Sequence, residues 1–220
     1  MIISSFSFIN LNLPIVLISI LITIIICYFL IPLIIKISSN LKILDFPDNR
    51  KQHKKPLARL GGLSIALSSL LTFYLVNFPN YQSNSFFINI DNTTNLILIS
   101  SVFILILGLV DDIFTLSPLP RLSIQIATAC FLWSKGITLE KIYTFGFFNN
   151  ENFIILPEFL SIIFTVIWIV GFTNALNWID GIDGLAISLV SIALIGNLYL
   201  FYVSNNYELF LLTLIILSAC

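Results

Sequence analysis

Residues 96–112 read Leu-Ile-Leu-Ile-Ser-Ser-Val-Phe-Ile-Leu-Ile-Leu-Gly-Leu-Val-Asp-Asp, an uncharged apolar run that ends on two adjacent carboxylates, Asp111 and Asp112. Charge in or beside a membrane segment is costly and marks function by default. Two carboxylates also form the hard-oxygen site that Mg²⁺ prefers, because it takes few protein ligands and leaves room for substrate phosphates. The bland alternative is a charge pair marking where a helix leaves the bilayer. Neighbouring helical residues point about 100° apart. The two carboxylates can therefore face one ion together only if the helix ends there. Otherwise they divide the work, one on the ion and one on a reacting phosphate or a basic side chain.

Working outward from this run, composition sets the class. Apolar residues make up 58% of the 220 and charged residues only 10%, against about 25% charged in a soluble domain. The chain reads as one integral membrane domain over residues 1–220, an all-α polytopic bundle. Seven of the ten Lys and Arg residues lie between Lys36 and Arg59. A basic loop of this kind stays on the cytoplasmic side, which puts the N-terminus outside. Cys27, Cys130 and Cys220 sit in apolar runs without partner spacing and read as small buried hydrophobes, not disulfides or metal ligands.

Six complete spans are expected: Leu13–Ile35, Gly61–Phe78, Leu96–Val110, Pro118–Ser134, Phe159–Leu176 and Leu185–Val203. The first is not a cleavable signal, since no Lys or Arg precedes it and no small-residue cleavage site follows. The fourth is the weakest, because Arg121, Ser123, Gln125 and Thr128 interrupt it. Such residues suit a helix facing other helices. Leu209–Cys220 gives about 18 Å of helix at 1.5 Å per residue, short of the ~30 Å core. It is read as a seventh span cut short in a truncated chain. The stretch Lys135–Pro157, with its Asn-Asn turn signal, is expected to form a small hairpin outside.

This count places three polar clusters on the cytoplasmic face. The first runs Asp45-Phe-Pro-Asp-Asn-Arg50-Lys51-Gln-His53-Lys-Lys-Pro56 and on to Arg59-Leu-Gly-Gly62. It is either an anchor for anionic lipid or a phosphate-binding loop, with Arg bidentate and Lys a point charge. His53, the only histidine, gains little from residue type alone. The second cluster is Asp111-Asp112 with Arg121 and Gln125 beyond it. The third is Asn174-Ala-Leu-Asn177-Trp-Ile-Asp180-Gly-Ile-Asp183-Gly184. Its Asn174, Asn177 and Asp180 recur every three residues, on one helical face. Asp-Gly repeats are ordinary turn chemistry, but that does not account for amides at the end of an apolar run. Cations for phosphates, carboxylates for a metal and amides for a polar ligand suit phosphoryl transfer, which is mainly positioning and charge stabilisation.

In order and content, these clusters resemble the polyprenyl-phosphate N-acetylhexosamine-1-phosphate transferases (the glycosyltransferase family 4 type, related to phospho-N-acetylmuramoyl-pentapeptide transferase). The resemblance runs from Asp45 to Leu185, and the Arg50-Lys51-x-His53 loop is closer to the branch using simple UDP-sugars. It implies transfer of a sugar-1-phosphate from a UDP-N-acetylhexosamine to a polyprenyl phosphate such as undecaprenyl phosphate. UMP is released, in cell-envelope polysaccharide synthesis. It implies Mg²⁺, with Mn²⁺ as the alternative ion, a bacterial plasma membrane setting and a cytoplasmic site. Asp111 and Asp112 would handle Mg²⁺ and the lipid phosphate, with Asp183 as a third catalytic carboxylate. Asn174, Asn177 and Asp180 would bind the nucleotide sugar, and Arg50, Lys51, His53 and Arg59 its phosphates. Beside the lipid bilayer and these substrates, no nucleic-acid partner is expected, and homodimerisation is left open. The loop has Ala58 where the family commonly has a second proline, and the family's later Gly-Asp and His-rich loops do not appear. The competing readings are an inactive remnant that binds lipid phosphate or a partner, and an ion-coupled transporter. Against the transporter, no inverted repeat is visible.

Overall fold

The computed structural model describes residues 13–45, 56–77, 91–143, 153–179 and 184–220. The fold is all-α, as expected, with two short antiparallel ladders. Its elements are α1 (Leu13–Asn40), β1 (Leu44–Asp45), β2 (Leu57–Ala58), α2 (Gly61–Val76), α3 (Asn92–Phe114), α4 (Pro118–Ser134), β3 (Lys141–Tyr143), β4 (Phe153–Ile155), α5 (Glu158–Ile179), α6 (Leu185–Val203) and α7 (Tyr207–Ala219). They sort into two compact units, residues 1–94 with 181–220, and residues 95–180.

In the first unit α1 packs on α2 and α7, α2 on α7, and α6 on α7. Most of the buried side chains of α1 and α2 are small or hydroxylated, Ser19, Thr23, Cys27 and Ser38 on α1 and Ser64, Ser68, Ser69 and Thr72 on α2, with Ile34 and Phe73 the exceptions. Large apolar side chains such as Leu17, Ile24, Leu71 and Leu75 point outward. That is the pattern of a protein whose solvent is lipid, where small interface residues let helix backbones approach closely. Several hydroxyls are satisfied within their own helices, Ser19 donating to the Ile15 carbonyl at 2.6 Å and Thr23 to the Ser19 carbonyl at 2.7 Å, whereas those of Ser69 and Thr72 are buried without a hydrogen-bond partner among the described residues. Cys27 is buried, with its Sγ 3.6 Å from the Ala219 carbonyl. Cys130 is half-buried and Cys220 exposed, so buried placement holds for one of the three; none is in a disulfide.

Residue types at the turns explain where several helices stop. Asn205 takes φ +55° while the Asn206 N–H reaches back to the Phe201 carbonyl at 3.0 Å. The Asn206 side chain then accepts from the Leu209 N–H at 3.1 Å, so consecutive asparagines close α6 and open α7. In the second unit Gly136, at φ +85°, closes α4 as the Ile137 N–H bonds the Leu132 carbonyl at 3.1 Å. Pro118 opens α4 at a position where no N–H is needed. α4 and α5 pack antiparallel, joined by the expected hairpin: β3 pairs with β4 in the register Lys141↔Ile155, Ile142↔Ile154, Tyr143↔Phe153.

Four helices, α1, α3, α5 and α6, are long and apolar enough to cross a membrane, and α2 and α7 are shorter apolar helices. The protein is therefore a multi-pass membrane protein, but length and composition alone do not return the expected six spans. α2 and α4 have 16 and 17 residues, about 24–26 Å of helix against a core of about 30 Å. α1 instead runs past Ile35 to Asn40.

On α4 the buried side chains are Gln125, Ala129 and Leu132, and Ala129 has no exposed surface. Ala129→Phe is expected to lower the thermal unfolding midpoint in detergent by the equivalent of about 1–3 kcal/mol through overpacking. Ile126→Phe, on the exposed side of the same helix, should stay within about 0.5 kcal/mol. Equal effects of the two would mean that α4 is not held by this face.

Candidate functional site

The second unit brings one end of α3, α4 and α5 together through side-chain contacts. α3 does not end at its carboxylates but continues to Phe114. Asp111 and Asp112 thus lie within a helix and diverge by about 100°. The last turn is closed by Thr115 at φ +47°, an outlying conformation for a β-branched residue. The Asp111 carboxylate holds it. Its Oδ1 accepts the Leu116 N–H at 3.0 Å, and the Thr115 N–H reaches the Asp111 carbonyl at 2.8 Å. In many helix ends the N–H now bonded by this side chain would find a backbone carbonyl.

The other oxygen, Oδ2, accepts from Arg121 Nη1 at 2.9 Å, an ion pair whose side chains are 22% (Asp111) and 25% (Arg121) exposed. One turn further along α4, buried Gln125 accepts through Oε1 from Asn174 Nδ2 at 2.7 Å. The same Nδ2 donates to the Val170 carbonyl at 2.8 Å. Asn177, the next residue on that face, is exposed and makes no side-chain hydrogen bond to another described residue. Asp112 is half-buried. α4 thus meets α3 at Arg121 and α5 at Gln125, one turn apart.

The second and third sequence clusters therefore meet, and they meet through Arg121 and Gln125. Both residues belong to the second sequence cluster but carry no predicted role there; the spacing of four that puts them on one face of α4 is the available signal. Arg50, Lys51, His53, Asp180 and Asp183 lie outside the described residues. The frame of the basic loop is visible in the first unit. Leu44 pairs with Ala58 and Asp45 with Leu57, and the Arg59 N–H bonds the Ile43 carbonyl at 3.4 Å. This ladder ties the two ends of the loop together at the junction of α1 and α2.

Asp111 thus has two separable duties, which substitutions can resolve. Asp111→Asn keeps an oxygen for the Leu116 N–H and loses the charge, whereas Asp111→Ala loses both. The alanine variant is expected to be the less stable by about 1 kcal/mol in thermal unfolding. The part-exposed ion pair with Arg121 should show a coupling of about 0.5–1 kcal/mol in a double-mutant cycle. Equal destabilisation by Asn and Ala would remove the capping role.

Residues 94–220, more than half of the chain, match the family described as Glycosyl transferase family 4. The chain is 31% identical over 163 residues (74% of this chain, 42% of the relative) to the probable undecaprenyl-phosphate N-acetylglucosaminyl 1-phosphate transferase of Bacillus subtilis. It is 33% identical over 175 residues (78% and 49%) to the undecaprenyl-phosphate alpha-N-acetylglucosaminyl 1-phosphate transferase of Thermotoga maritima. A phospho-N-acetylmuramoyl-pentapeptide-transferase of Streptococcus pyogenes is 28% identical over 201 residues (84% and 56%). The chain spans about half the length of these curated relatives. Its matched region contains Asp111, Arg121, Gln125 and Asn174, and the protein belongs to glycosyl transferase family 4.

Proposed function

We propose that the protein takes part in transferring N-acetylhexosamine-1-phosphate from a UDP-sugar to a polyprenyl phosphate, at the cytoplasmic face of a bacterial plasma membrane. The observation that carries this reading is the convergence of the Asp111 carboxylate, an arginine and two amides at one end of α3, α4 and α5. An oxygen of the lipid phosphate forms a bond to the β-phosphorus, the bond from that phosphorus to the bridging oxygen breaks, and UMP leaves. A lipid-borne acceptor explains why the polar cluster sits at the ends of membrane helices. The seven basic residues between Lys36 and Arg59 support the cytoplasmic assignment.

Mg²⁺ fits the donor set. Among the described residues no group of three or more His, Cys, Asp or Glu could hold a metal. A pair of carboxylates matches an ion that uses one or two of them and fills the rest of its shell with waters and substrate phosphates. Asp111 Oδ2 already faces a guanidinium at 2.9 Å, and that cation opposes a second one on the same oxygen. Asp112, about 100° around the helix, would therefore be the residue that holds the ion, and Asp111 would orient Arg121. When bound, the ion would neutralise charge on the phosphates. Arg121 gives one N–H to Asp111 and turns its remaining donors to a phosphate oxygen in the bidentate manner of arginine. Asn174 is fixed by Gln125 and Val170 through its Nδ2, which leaves its carbonyl oxygen as an acceptor for the nucleotide sugar beside Asn177. Asp180 and Asp183 follow on the same segment.

The protein in proteoliposomes, supplied with UDP-N-acetylglucosamine and undecaprenyl phosphate, is expected to release UMP only when Mg²⁺ is present. Asp112→Asn should lower the rate by about 10²–10³-fold, the usual cost of removing one electrostatic element from an active site. An unchanged rate in Asp112→Asn, or UMP release without the lipid acceptor, would overturn the reading.

A further inference from the structure

We propose that the β3–β4 hairpin is a membrane-interface anchor, docked on the headgroup–acyl boundary of the phospholipid bilayer. Strand alternation puts Ile142 and Ile154 on one face of the ribbon, and Lys141, Tyr143, Phe153 and Ile155 on the other. Both faces are thus largely apolar. Tyr143 is 68% exposed and Ile155 65% exposed, while Ile142 and Ile154 are each 42% exposed. A two-stranded ribbon with no third strand or helix over it is marginal in water. Among the described residues, this one has its apolar surface open on both sides.

Connectivity fixes what lies next to it. Ile155 and Glu158, the first residue of α5, are three positions apart, at most about 11 Å. α5 is itself long and apolar enough to cross a membrane. The Leu139 N–H donates to Thr165 Oγ1 at 2.9 Å, and the Leu156 N–H to the Glu140 carbonyl at 2.8 Å. The ribbon is therefore pinned at the α4–α5 connection, at the end of α5 opposite Asn174. A surface held that close to the start of a span has the bilayer interface as its neighbour.

The side chains suit that neighbour. Tyr143 packs edge-on against Phe153 with ring centroids 6.3 Å apart, and Lys141 Nζ stands 5.1 Å from the Phe153 ring centre. Aromatic rings and snorkelling lysines are the side chains that interfaces collect. Phe159, in the first turn of α5, continues the exposed surface. Lys135 and Lys141 are outnumbered by Glu140, Glu151 and Glu158. The contact is therefore driven by apolar insertion, with Lys141 reaching a lipid phosphate, and does not require anionic lipid.

The test places an environment-sensitive fluorophore on Ile155→Cys in the full chain, with Cys27, Cys130 and Cys220 replaced by Ser, in phosphatidylcholine liposomes. Tyr143→Cys on the same face is a second site should the first variant fail to reconstitute. Expected are strong quenching by headgroup-level nitroxide lipids and iodide quenching about threefold weaker than at Glu140→Cys, as for an apolar face sunk several ångströms into the boundary. The signal should not change with high salt or with dilution of protein in lipid. Iodide quenching equal to that at Glu140→Cys would overturn the proposal. So would shielding that disappears on dilution, which would assign this face to a second copy of the chain.

Discussion

A polar group left unpaired in hydrocarbon costs several kcal/mol, and this constraint organises the protein from its helix interiors to its candidate site. Most of the interior hydroxyls and amides turn back on their own helices: Ser19 and Thr23 on α1, Asn77 beyond α2, and Thr165 and Thr173 on α5 all donate to carbonyls four residues earlier. Each is neutralised locally and packs as a small residue. The polar side chains that instead reach across between helices are few, and they are the ones that specify geometry. In the second unit these are Trp133 to Ser161 at 3.2 Å, Gln125 to Asn174, and Arg121 to Asp111. The first lies at the hairpin end of the α4–α5 pair and the other two at the opposite end, so the pair is registered at both ends by bonds that lipid cannot replace.

The same logic explains why the end of α3 is built from a carboxylate. Many helices stop at glycine or asparagine, which enter the left-handed region cheaply. α3 stops at Thr115, which does not. Asp111 compensates by taking the Leu116 N–H on one oxygen and Arg121 on the other. Strain at this turn and orientation of Arg121 therefore share one side chain. A residue that reads as half of a metal pair also fixes the direction of the cation next to it. Asp112, about 100° around the helix, serves a different direction.

Much of this was legible in the chain itself. The all-α membrane class followed from composition, the hairpin from turn signals between two apolar runs, and the three polar clusters from their positions at span ends. The division of labour between Asp111 and Asp112 was one of two readings, and it turned on where α3 stops. Sequence could not supply that, because Thr115 carries no stop signal and the stop is made by a side chain four residues earlier. The Gln125–Asn174 bond joins residues 49 apart, and no local pattern reports such a contact. Length and apolarity alone return four spans, and α4 is not among them because it has exchanged apolarity for the groups that tie it to α3 and α5.

Depth in the membrane connects the two ends of α5. With Glu158 at one interface, Asn174 lies 16 residues along, about 24 Å at 1.5 Å per residue, and so remains inside a core of about 30 Å. Its amide has to be paired within the protein, and it is, to Gln125 and Val170. Asn177 lies about 28 Å along by the same rise, at the far interface, and there an exposed amide with no described partner is tolerated. Two asparagines of one helical face thus differ in partnering because three residues of helix carry the second about 4.5 Å further, to the edge of the hydrocarbon. A hairpin that holds Glu158 at the near interface would set the depth at which the other end emerges. An apolar ribbon at one surface and an exposed amide at the other then become consequences of one helix length.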